Sequence, residues 1–126
     1  MRYEVTSDPM MSVVCHCLDC QKMSGATAAS HIIFPRKSLS FDGEVTYYEK
    51  VGDSGKPARI AFCAKCGSNL FGFPDVAPEL ASVSATSLDD PSGFEPGANI
   101  YTKSAQHWDV MDPNLPAFEE LPPRPG

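Results

Sequence analysis

The sequence contains no apolar run near the roughly 18–20 residues that a membrane-spanning helix needs, which argues against a membrane protein. Its opening, MRYEVTSDPM, lacks the apolar stretch of a signal peptide, so a cytoplasmic location is expected, where thiols stay reduced. Basic residues are few: 10 Lys and Arg stand against 16 Asp and Glu, a formal net charge of −6. Nucleic-acid binders need clustered cations for the phosphates, so no nucleic-acid partner is expected. No G-x-S-x-G, P-loop or dinucleotide fingerprint is present, and these absences remove the commonest hydrolase, NTPase and dehydrogenase readings. Neither an internal repeat nor a long amphipathic helical pattern occurs.

What remains is the composition of a small β protein. The 126 residues are enough for a single domain, 1–126, with a core of its own. Twelve prolines and nine glycines are spread along the chain, as many turns between short strands would require. Alternating or β-branched stretches predict strands at MRYEV, MSVVC, SHIIF, ELASVSATSL and ANIYTKSAQHW. LSFDGEVTYYEK reads as a hairpin turning at Asp42-Gly43. ARIAFCAKCGSNLFGF reads as two strands joined by a C-x-x-C-G turn. One or two helical turns are expected in LDCQKMSGATAA, ending near Gly25. VGDSGKPA is a loop, and 111–126 is a proline-rich tail that crosses the surface or frays. The fold class is mainly β.

The five cysteines divide three and two: Cys15, Cys17 and Cys20 in CHCLDC, and Cys63 and Cys66 in FCAKC. Spacings this close suit metal ligation better than a disulfide framework. Zinc is the natural ion for thiolates in a reduced compartment. Three thiolates leave its fourth position open and give a net charge of −1, which makes it a poor activator of water. A small thiol taken there would instead be ionised and kept able to attack a carbonyl carbon. His16, between two ligands in an extended segment, should point away from them. Cys63 and Cys66 have the spacing of a structural zinc half-site. A single site of four cysteines, using one of that pair with the trio, fits the spacing as well. Other residues are weaker candidates. Lys22, Arg36 and Lys37 would hold a carboxylate, but solvated charge is their default. His31 reads as structural, and His107-Trp108 as pocket lining or core.

CHCLDCQKMSG, HIIFP, DSGKPARIAFCAKCGSNLF and TSLDDPSGFEPGANIYTKSAQHW, in that order, resemble the glutathione-dependent formaldehyde-activating enzyme family, also called the centromere-protein-V/GFA domain. The resemblance covers about residues 1–120. It implies an Mss4-like β-tent of antiparallel sheets with zinc-binding knuckles and little helix. It further implies an open catalytic zinc on Cys15, Cys17 and Cys20, and a structural zinc half-held by Cys63 and Cys66. The family's other half-site is a C-x-C pair just before a strand like R-Y-E-V. This chain begins at MRYEV, so the second site is expected to be incomplete, with Cys63 and Cys66 beside the amino-terminal strand. Asn99 stands where a His is expected in an HIY-like strand, and it receives no role. The implied activity is that of a carbon–sulfur lyase, S-(hydroxymethyl)glutathione synthase-like, joining glutathione to formaldehyde. The alternative is a non-catalytic zinc- or thiol-binding module of the same fold. A homodimer covering the exposed knuckle is a further expectation.

Overall fold

Short alternating segments become nine strands and one helix among the described residues, which in this computed structural model are 1–51, 55, 57–74 and 77–123. The strands are β1 (Arg2–Val5), β2 (Met11–Cys15), β3 (Ala29–Pro35), β4 (Leu39–Asp42), β5 (Thr46–Val51), β6 (Pro57–Phe62), β7 (Asn69–Phe73), β8 (Leu80–Ser84) and β9 (Ala98–Ile100). The helix α1 (Leu18–Ser24) follows β2. β1 pairs only with β4, while a seven-stranded sheet runs in the order β5-β6-β7-β8-β3-β2-β9.

Strand register makes two unlike faces, because side chains alternate along each strand. One row of paired residues, Tyr47, Ala61, Phe71, Val83 and Ile32, crosses five strands. It forms the main core together with Phe34, Phe73 and Ala81. The small β1–β4 sheet covers this face with Tyr3, Val5 and Leu39. At the centre, Phe71 is 1% exposed. Its ring meets those of Tyr3 at 5.6 Å, Phe41 at 5.2 Å and Phe73 at 5.8 Å. The opposite face carries Val13, His31 and Ser84 in one row and Cys15 nearby, packed in part by α1. A mainly β, tent-like arrangement of two sheets is therefore what the chain adopts.

Three sequence expectations need correction. Asp42-Gly43 is not a hairpin, because β4 pairs with β1 and β5 pairs with β6. The turn instead carries the chain from one sheet to the other. The sheets are not wholly antiparallel, since β9 lies parallel to β2 with Val13 opposite Ala98. β9 returns to the edge after a long excursion, and such a crossover permits the parallel sense. The last strand is also far shorter than ANIYTKSAQHW, because Tyr101 adopts φ 55 and a 3-10 turn follows at Thr102–Ser104. Of the two courses expected for the tail, it takes the first and lies across the surface as far as Glu120. Asn99 N–H donates to Pro116 O at 2.8 Å, and Phe118 N–H to Asn99 O at 2.9 Å. The loop expected in VGDSGKPA lies largely outside the described residues, as do residues 124–126.

Candidate metal centre

The CHCLDC segment spans a strand end, a cap and a helical turn, and each of these presents one sulfur. Cys15 ends β2 and is buried. Cys17 is the extended residue that caps α1, and its sulfur accepts the Cys20 N–H at 3.4 Å. Cys20 lies in the first turn. The three sulfurs lie within 4.8 Å of one another. The helix ends at Gly25, φ 67, whose N–H donates to Gln21 O at 2.9 Å. That left-handed position disfavours any residue with a Cβ.

Close approach makes the three thiols share charge. Hydrogen bonds from the Cys15 and Cys20 thiols bring the Cys17 thiol down to about 2. Cys15, as donor to Cys17, is pushed up to about 12, and Cys20 is pushed up by Cys15, by Cys17 and by burial. Thiolates around a tetrahedral zinc, with bonds of about 2.3 Å, stand roughly 3.8 Å apart. The observed trio needs little closing to match, and its all-sulfur donor set suits that ion.

The trio opens into a cavity of about 320 Å³, lined also by Met23, His31 and Ile60. His31 Nε2 lies 3.3 Å from Cys20 Sγ. Burial pushes the imidazole below its ordinary range, with the Cys17 charge opposing. His31, expected to be structural, also lines the cavity of the trio. Alternation put His31 on one face of β3, but the face holding the cysteines is visible only once β3 has paired with β2.

Behind the trio, His16 turns away from the sulfurs as its extended backbone requires. It is 1% exposed. Its Nε2 meets Asn99 Oδ1 at 2.9 Å, and Nδ1 lies 2.6 Å from Asp109 Oδ2. Gln21 Nε2 donates to His16 O at 2.7 Å and to Ser104 O at 3.0 Å, tying α1 to the same segment. Asn99 and Asp109 went unassigned in the sequence, and no local signal marks either one. Both matter here because they hold the residue between two of the sulfurs.

Cys63 and Cys66 lie apart from the trio, at the turn between β6 and β7. Gly67 N–H donates to Cys63 O at 2.8 Å, closing the knuckle. The Cys66 sulfur sits 3.0 Å from Ser68 Oγ, and that hydroxyl lowers the thiol below its ordinary range. The pair lines a separate cavity of about 470 Å³ with Met1, Arg2 and Tyr3, beside the amino-terminal strand. The cysteines thus divide in space as they do in sequence, and neither of this pair joins the trio among the described residues. Lys22 and Lys37 are exposed. Arg36 stacks on the Phe73 ring at 4.0 Å. Trp108 is 61% exposed against His107 and lines neither cavity.

A two-sheet β frame brings three cysteines together at a cavity, a group of side chains able to hold a metal ion. The chain belongs to the glutathione-dependent formaldehyde-activating enzyme family, whose model matches residues 1–104. Comparison with the curated proteins finds no match. No helix among the described residues is long and apolar enough to cross a membrane.

Proposed function

We propose that this protein is a carbon–sulfur lyase that interconverts glutathione plus formaldehyde with S-(hydroxymethyl)glutathione, using zinc on Cys15, Cys17 and Cys20. The observation that carries the reading is the convergence of three sulfurs within 4.8 Å beside a cavity able to admit a fourth. Bound there, zinc supplies a centre that ionises and orients an incoming thiol. Cys15, Cys17 and Cys20 hold the ion, and Met23 and Ile60 keep part of the wall apolar. In the forward direction the substrate sulfur attacks the aldehyde carbon. A carbon–sulfur bond forms, the carbonyl π pair moves to oxygen, and that oxygen takes a proton. The proton lost by the thiol on ionisation is released to solvent, and solvent supplies the proton the oxygen takes; His31, whose Nε2 lies 3.3 Å from Cys20 Sγ, is the imidazole that lines this cavity. Cys63 and Cys66 are assigned to half of a structural zinc site. With three of the chain's five cysteines in the trio, no further cysteine is left to complete it.

The test is two-dimensional exchange NMR of formaldehyde with glutathione. Exchange should run faster with the protein than without it, and Cys17→Ser should abolish the gain. No acceleration together with no glutathione binding would leave a thiol- or zinc-binding module.

A further inference from the structure

The trio with zinc would carry a net charge of −1, and the chain as a whole carries −6. A thiol that also bears a carboxylate therefore needs a local cation to approach. Two arginines already have partners. Arg59 also lines the cavity, but its guanidinium stacks on the Tyr47 ring at 4.0 Å and its Nε lies 3.3 Å from Glu49 Oε1. Arg36 stacks on Phe73.

Lys50 is placed differently. In the β5–β6 register it stands directly opposite Ala58, which lines the cavity beside the cysteines. Directly paired residues share a sheet face, so Lys50 projects from the side that holds the trio. Its ammonium forms an ion pair with Asp19 of α1, the residue immediately before Cys20. The pair thus joins two walls of the site, the sheet and the helix. Both side chains remain accessible, at 44% and 53% exposure, so solvent and solute reach the pair. The Lys50 ammonium is held above its ordinary range, first by the hydrogen bond to Asp19, with a smaller contribution from the Cys17 charge. An exposed ion pair of this kind exchanges partners at little cost.

We propose that Lys50 receives a carboxylate of the thiol substrate, and that Asp19 occupies that position until the substrate replaces it. This rests on the thiol-binding reading above and assigns the residues by which the site would favour thiols that bear a carboxylate over thiols that lack one. Lys50 and Asp19 are specificity-determining residues and touch none of the reacting atoms.

The experiment is calorimetric titration of the zinc-loaded protein with glutathione and with its diethyl ester, which keeps the thiol and masks both carboxylates. Lys50→Gln should weaken glutathione binding by about fivefold and leave the ester unchanged. Asp19→Asn should shift glutathione the other way, strengthening it by a comparable factor, again with no effect on the ester. If Lys50 and Asp19 merely clamp the helix to the sheet, both variants will move both ligands in the same direction, and the proposal falls. Equal binding of glutathione and ester by the wild type overturns it too, while sparing the thiol site. A wild type that binds neither thiol overturns this proposal and the underlying function together.

Discussion

His16 sits between two proposed zinc ligands yet serves the opposite side of the chain. Its ring is matched to two oxygens, those of Asn99 and Asp109, and the Asp109 side chain is only 5% exposed. Removing the imidazole takes the nearest polar group from a buried carboxyl and a hydrogen-bond partner from a buried amide. His16→Leu is expected to lose about 1–3 kcal/mol of stability in urea unfolding. The double variant His16→Leu, Asp109→Leu should recover most of that loss, which a purely volumetric effect of leucine would not allow. The orientation of His16 was legible from alternation alone. Its partners were not, since Asn99 lies 83 positions later and Asp109 later still. The cysteine trio was legible for the converse reason: its members are near neighbours, so local backbone geometry is enough to gather them.

At the scale of elements, two glycines show how local conformation and packing add. Gly25 has φ 67, and a Cβ placed there would meet nothing within 4 Å. Gly43 has φ 103, and its Cβ would lie 2.9 Å from Met1 Cα. Gly25→Ala should cost about 1–2 kcal/mol, the penalty for a left-handed residue alone. Gly43→Ala adds a backbone collision to that penalty and should unfold at a lower urea concentration than Gly25→Ala. Equal midpoints would mean that Met1 moves aside freely. The Asp42-Gly43 dipeptide was read as a hairpin because its turn chemistry fits one, and the strands on either side do form. Which strand each would pair with depends on distant segments: Val5 for Leu39, and Phe62 for Thr46. Turn chemistry carries no such information.

The whole molecule depends on the contact between its two sheets, and Phe71 is the residue through which they meet. Phe71→Ala would open a cavity under Tyr3 and Phe41, and is expected to cost about 3–5 kcal/mol in urea unfolding. A loss below about 1 kcal/mol would mean that the small sheet does not rely on that ring. On the far face, the same seven-stranded sheet holds Cys15 and His31 at one side of a cavity, with Cys17 at the cap of α1 and Cys20 in its first turn closing over them. The cavity still reaches the core, because Phe71 and Phe73 line it together with the trio. The central claim is that the trio holds a zinc whose fourth position accepts a thiol. It is tested most directly by zinc-edge X-ray absorption on the Cys63→Ala, Cys66→Ala variant, with and without glutathione. The trio should supply three sulfurs at about 2.3 Å, and glutathione should raise the sulfur count by one. A sulfur shell unchanged by the thiol, or a shell dominated by nitrogen and oxygen, would contradict it.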